Sequence, residues 1–211
     1  MYKKWLCFSL IGVLLMGCGK PVTKSTEKKE EVNLATSYTG LPKDHQFEQM
    51  KKEDVLNFLK HGTGVLTLGF PECKWCQAYY PDLNEVLKMA SLKTKYFNIY
   101  EQKKSDRTFY DQVATILEKN NTTGKKIVKY DNDGKQVIYV PLVLFVEQGK
   151  IVGFDNETSE VSGMETKDYW TSEKRASLKE RLAQLVKQNK RAQEKNQVGG
   201  CNSDKSGCKA G

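Results

Sequence analysis

The chain has 211 residues, room for one domain of ordinary size around a single core. Hydrophobic residues make up 38%, and 34 basic residues are interspersed with 26 acidic ones for a net charge of +8, carried by Lys rather than by an arginine-rich block. That distribution reads as a solvated surface and argues against a nucleic-acid partner, while composition and period exclude collagen, coiled coil and a multi-pass membrane protein.

Lys3 and Lys4 precede Trp5–Met16, a largely apolar stretch of 12 residues. It falls short of the ~20 residues that span a bilayer but has the length of the apolar part of a signal peptide. It ends in Leu15-Met16-Gly17-Cys18, which resembles the bacterial lipobox, with Met16 where a smaller residue is commoner. The resemblance implies that residues 1–17 are removed and that Cys18 is lipidated. The mature protein would then be anchored on the outer face of the bacterial cytoplasmic membrane. Ordinary secretory cleavage with Cys18 as a bystander is the alternative. Two or more acyl chains anchor stably where one does not. Disulfides persist outside the cytosol. Cys7 lies in the removed segment, so Cys73, Cys76, Cys201 and Cys208 are the cysteines that need an explanation.

Residues 19–43 are rich in Lys, Glu, Thr and Ser, carry Pro21 and Pro42, and show no apolar period. With Cys18 they read as a flexible tether of ~25–30 Å r.m.s. reach. The globular pattern is expected over residues 44–190, and residues 191–211 are expected to form a flexible, Cys-containing tail. Lys51–Lys60, with Val55, Leu56, Phe58 and Leu59 and a stop at Gly62, predicts a short helix. Gly64–Phe70 is an apolar run ending at Pro71, consistent with a buried strand. Tyr79, Leu83, Val86, Leu87 and Ala90 form a helical stripe within Trp75–Ala90. Lys95–Tyr100 is β-branched and aromatic and reads as a strand. Ser105–Asn120 carries a second stripe of Phe109, Val113, Ile116 and Leu117. Asp131-Asn132-Asp133-Gly134 predicts a hairpin turn near residues 126–139. Val137–Val146 reads as a long strand interrupted by Pro141, and Gln148-Gly149-Lys150 turns it into Ile151–Phe154. Leu178, Leu182, Leu185 and Val186 make Ser172–Gln188 a closing amphipathic helix. Early alternation of strand and helix with a late hairpin predicts an α/β fold with a central mixed sheet flanked by helices.

Chemistry concentrates at Cys73-Lys74-Trp75-Cys76, which follows a predicted strand and opens a predicted helix. A helix N-terminus carries unpaired N–H groups and partial positive charge, so a thiolate at Cys73 would be stabilised there. Lys74 adds a positive charge nearby. Cys76 lies one turn on and can close on Cys73 after a mixed disulfide has formed. Trp75 would shield the pair and offer a flat apolar surface. A zinc site would need four ligands. The only other cysteine pair is Cys201/Cys208, and His45 and His61 lack ligand spacing. A purely structural CxxC disulfide would be a poor staple. The redox reading requires no metal and no cofactor.

The run Val65–Cys76 resembles the active-site segment of the thioredoxin superfamily. Pro81, five residues after Cys76, matches a helix-kinking proline of that family, costly enough in mid-helix to be informative. Tyr139–Val146 followed by Gln148-Gly149-Lys150 resembles its cis-proline strand and hairpin. The resemblance implies a thioredoxin-like fold with an added hairpin before that strand. It implies a cis Val140–Pro141 bond facing the CxxC across a substrate groove, with the Val140 backbone pairing to a client chain. A plain edge-strand role is the alternative for Pro141. Among exported members, the chain looks most like the bacteriocin-transport accessory proteins of Gram-positive bacteria.

Two departures stand out. Thioredoxins carry a buried acid six residues before the first cysteine, where this chain has Thr67, and Lys74-Trp75 replaces their Gly-Pro. The direction of exchange therefore does not transfer, since potentials across the fold span ~150 mV. Cys201 and Cys208 close a loop of eight residues, read as a local tail disulfide, with a second redox pair or metal capture as alternatives. The expected function is a thiol–disulfide oxidoreductase acting on exported protein or peptide clients, with a separate redox partner. A non-catalytic accessory lipoprotein that holds a peptide in the same groove is the alternative.

Overall fold

A computed structural model describes residues 34–159 and 161–200. Residues 1–17, read above as a signal peptide, and Cys18, Cys201 and Cys208 lie outside the described residues. The chain opens with the short helix α1 (Leu34–Ser37), strand β1 (Phe47–Gln49) and helix α2 (Lys52–His61). Strand β2 (Gly64–Gly69) leads into helix α3 (Lys74–Met89), then strand β3 (Thr94–Asn98) and helices α4 (Ile99–Ser105) and α5 (Arg107–Lys119). Strands β4 (Val128–Tyr130), β5 (Gln136–Ile138), β6 (Leu142–Glu147) and β7 (Lys150–Asp155) follow, and helices α6 (Thr166–Tyr169) and α7 (Ser172–Gly200) close the fold.

The architecture is mixed α/β. Five strands form one sheet in the order β1-β3-β2-β6-β7, parallel on one side of β2 and antiparallel on the other. Successive side chains of a strand point to opposite faces, and here they feed two cores. Val65 of β2, Tyr96 of β3 and Val143 and Phe145 of β6 pack with α3 and α7 residues such as Leu83, Leu87, Leu178 and Leu182. Leu66 and Leu68, Phe97, and Leu142 and Leu144 pack on the other face with Val55 and Leu59 of α2 and Val113 and Leu117 of α5. A sheet covered on both faces explains why β2 and β6 read as near-continuous apolar runs, broken in β2 only by Thr67.

The expected hairpin forms as a separate two-stranded sheet, β4 with β5. The Asp131 carboxylate accepts from the Asp133 and Lys135 N–H groups at 3.0 and 2.8 Å, and Gly134 takes φ +73°. The run Val137–Val146 is not one interrupted strand. β5 and β6 belong to different sheets, with a cis Val140–Pro141 bond between them.

Among the described residues, Leu34, Tyr38 and Leu41 are already buried ahead of residue 44. The Gln77 amide locks this arm, donating to the carbonyls of Ser37 and Pro71 at 2.7 Å each while its oxygen accepts from the Thr39 N–H. At the other end α7 continues to Gly200, past the expected stop at Gln188 and through the first part of the expected tail. Its apolar stripe ends near Val186, while the buried Asn189 amide still donates to the Val146 carbonyl at 3.2 Å.

Candidate active site

Cys73 and Cys76 stand where β2 hands over to α3. Cys73 is the helix N-cap, in extended conformation, and its sulfur accepts the Cys76 N–H at 3.1 Å. The loop is tied down by the Cys73 N–H donating to the Phe70 carbonyl at 3.2 Å, and the Gln77 N–H donates to the Cys73 carbonyl at 3.0 Å. Both cysteines are free thiols. Cys73 keeps 7% exposure and Cys76 none, so only Cys73 can meet a partner directly.

Their acidities diverge. The hydrogen-bonded Cys76 thiol holds the Cys73 thiol below its ordinary value; burial opposes this, and the Cys76 and Trp75 N–H groups reinforce it. Burial pushes the Cys76 thiol far up, and the neighbouring Cys73 adds to it. A helix end that offers N–H groups to one sulfur and an apolar enclosure to the other separates a nucleophile from a reserve thiol.

A groove of about 410 Å³ runs beside Cys73, walled by Phe70, Trp75, Tyr100, Tyr139 and Val140. The Cys73 sulfur faces the Val140 carbonyl at 3.8 Å, so residues 67 positions apart meet at the groove floor. Pro141 is buried, and half-buried Val140 is the one of the two that lines the groove. Phe70 and Tyr100 stack at 4.2 Å, and Trp75 meets Tyr169 edge-on at 5.3 Å. Pro81 lies inside α3, and its ring packs so closely under Gly40 that a Cβ there would come within 2.5 Å of it.

Lys74 lines the same groove. Its side chain is exposed with the ammonium 3.8 Å from the Glu165 carboxylate, and the Cys73 thiol is held below its ordinary value by hydrogen bonds rather than by this charge. At the position of the missing acid, the buried Thr67 hydroxyl meets the Thr94 hydroxyl at 2.8 Å.

The tyrosines behind Cys76 carry no mark in the sequence. Tyr80 is fully buried, its ring 4.8 Å from Tyr38 and 6.2 Å from Tyr96, and the Tyr38 and Tyr96 hydroxyls share a 2.7 Å hydrogen bond. Tyr80 lies next to the Tyr79 stripe position; an aromatic at that point of an amphipathic helix reads as core, and its distance to Cys76 has no sequence signature beyond the i+4 spacing. Phe70, Tyr100 and Tyr139 were likewise scattered along the chain with nothing to mark them as one wall. Among the described residues no group of three or more His, Cys, Asp or Glu side chains could hold a metal ion.

Set against protein-family models, curated proteins and solved structures, the chain has no match.

Proposed function

We propose that the protein is a thioredoxin-like thiol–disulfide oxidoreductase acting on exported proteins or peptides. The observation that carries this reading is Cys73 itself: a sulfur at a helix N-terminus, accepting the Cys76 N–H, held below the ordinary thiol pKa and open to an aromatic groove. The CxxC at the head of α3, Pro81 inside the same helix and the Val140–Pro141 step, whose Val140 carbonyl faces the Cys73 sulfur, support the thioredoxin-like assignment. Within that superfamily the chain is proposed to stand with the bacteriocin-transport accessory proteins, on its Lys-rich composition and lipobox.

The Cys73 thiolate attacks a client disulfide, forming a Cys73–client bond and expelling the client's second sulfur, which takes up a proton. Cys76 then attacks the Cys73 sulfur. The Cys73–Cys76 disulfide forms, the client leaves as a dithiol, and two electrons have passed from the CxxC to the client. The same steps in reverse deliver a disulfide. Val140, at the groove floor beside Cys73, offers backbone against which an extended client can lie.

Cys76→Ser tests this reading. The variant should accumulate mixed disulfides between Cys73 and exported clients, visible as adducts that vanish on reduction. No adducts, together with no exchange by the unaltered protein, would favour an accessory lipoprotein that only holds peptides. Lipid anchoring at Cys18 is part of the proposal, and Cys18→Ala should release the protein from membranes or leave it unprocessed.

A further inference from the structure

Resolution of the mixed disulfide requires Cys76 to attack as a thiolate, yet Cys76 is fully buried and burial disfavours the charged form. The position six residues before Cys73 offers no carboxylate, because Thr67 stands there, engaged with Thr94. We propose that the Tyr80 hydroxyl fills this need, donating a hydrogen bond to the Cys76 sulfur as negative charge develops on it. This rests on the oxidoreductase reading above.

The geometry converges on Gly69. Tyr80 lies one turn after Cys76 on α3, and a Cβ added to Gly69 would overlap the Tyr80 hydroxyl and stand 3.2 Å from the Cys76 sulfur. The missing side chain at Gly69 leaves phenol and thiol side by side over the end of β2. The phenol donates to the Leu68 carbonyl at 3.2 Å, long for an O–H···O bond. A phenol has one proton to donate. Rotating the O–H from a neutral carbonyl to a thiolate exchanges a weak bond for a charge-assisted one. Only that torsion has to move, since Tyr38 at 4.8 Å and Phe47 at 5.2 Å pin the ring.

The titratable groups facing this corner are Cys73 on the same helix end, Tyr38 on the N-terminal arm and Tyr96 on β3, with the exposed Glu72 carboxylate acting on Tyr96. Burial and the neighbouring Cys76 push the Tyr80 phenol well above its ordinary value, so it is a donor and not a base. In the resolving step the Cys76 sulfur bonds to the Cys73 sulfur, the Cys73–client bond breaks, and the Cys76 proton passes to the departing client sulfur. Tyr80 keeps its own proton throughout.

Stopped-flow reaction of the reduced protein with 5,5′-dithiobis(2-nitrobenzoate) separates the steps. The first thionitrobenzoate release reports attack by Cys73, and the second reports resolution by Cys76. Tyr80→Phe retains the ring. It should slow the second phase about tenfold or more at neutral pH and move its rising limb to higher pH, with the first phase within twofold of the unaltered protein. Tyr38→Phe is the matched control: it removes a buried hydroxyl from the same cluster and should leave the second phase within twofold. A second phase unchanged in rate and pH profile in Tyr80→Phe, or slowed equally in Tyr38→Phe, overturns the role of Tyr80 while leaving the oxidoreductase reading in place. An unaltered protein that never releases the second thionitrobenzoate overturns both.

Discussion

Tyr79 on α3 donates its phenolic proton to the Asp155 carboxylate on β7 at 2.7 Å, joining the helix that carries the CxxC to the edge of the sheet. Arg181 of α7 completes the cluster, its Nε 3.1 Å from the other Asp155 oxygen and its guanidinium paired with Glu157. Asp155 is 8% exposed and enclosed with these partners. Removing one partner of a buried ion pair leaves an uncompensated charge, whereas removing both costs far less. Because Arg181 is 40% exposed, solvent softens the loss. Arg181→Met should lower stability in urea unfolding by about 1–3 kcal/mol. Adding Asp155→Asn should restore part of it. A double variant as unstable as the sum of the two single ones would show that the pair does not act as a unit.

Thiol acidity gives a pH signature. The native fold holds Cys73 below the usual thiol value of about 8.5 and holds Cys76 above it. Iodoacetamide should label Cys73 with half-maximal rate below pH ~8.5, while buried Cys76 stays unlabelled in the native protein; mass mapping separates the two. Stability follows from the same directions. Cys73 contributes stability that is complete above the unfolded value and lost as pH falls through its lowered native value. Cys76 stays protonated where the unfolded thiol ionises, so it removes stability as pH rises beyond about 8.5. The contribution of the thiol pair should therefore peak near pH ~8.5, measured as reduced wild type against Cys73→Ser/Cys76→Ser.

Gly69 has no room for a side chain. A Cβ there would overlap the Tyr80 hydroxyl and approach its ring carbon Cζ to 2.9 Å, and the Tyr80 ring is fully buried against Tyr38 and Phe47. Gly69→Ala should destabilise by about 1–3 kcal/mol through overpacking. Tyr80→Phe removes the overlapping oxygen, so Gly69→Ala/Tyr80→Phe should lose less than the two single variants together, a coupling expected between residues in contact. Additive losses in thermal or urea unfolding would place the clash elsewhere.

Long, periodic elements were legible because their burial has a period. The α3 stripe of Tyr79, Leu83, Val86 and Leu87 is buried as expected, as are Phe109, Val113 and Leu117 of α5. Short elements were not. β1 has three residues and buries only Phe47 fully, too little to show alternation. Lys95–Tyr100 reads as one strand by its aromatics, but Asn98 caps a new helix by accepting the Glu101 N–H at 3.1 Å, so Ile99 and Tyr100 begin α4. The two cysteines of the site were legible because their spacing and place at a strand–helix junction carry their chemistry. The tyrosine cluster behind Cys76 was not, because Tyr38, Tyr80 and Tyr96 come from three distant segments and meet only through the sheet.

The arm before residue 44 offers the sharpest contrast between composition and packing. Its polar, proline-containing sequence reads as tether, yet Leu34 and Leu41 are 4% and 6% exposed and Tyr38 is 1% exposed against Tyr80. A tether residue can be truncated at no cost to the core, whereas truncating a buried Leu costs about 2–5 kcal/mol and a large aromatic about 3–5 kcal/mol, from lost transfer energy and the cavity left behind. Tyr38→Ala also strips the Tyr96 hydroxyl of its 2.7 Å partner. Leu34→Ala, Leu41→Ala and Tyr38→Ala should therefore each fall within those ranges in urea unfolding. Lys43→Ala, at an exposed position, should stay within about 0.5 kcal/mol of the unaltered protein. Because Tyr38 packs directly on Tyr80, Tyr38→Ala should also loosen the ring behind Cys76 and quicken alkylation of that thiol, whereas Leu34→Ala should do so less. Negligible losses at Leu34, Tyr38 and Leu41 alike would return the arm to the role of a tether.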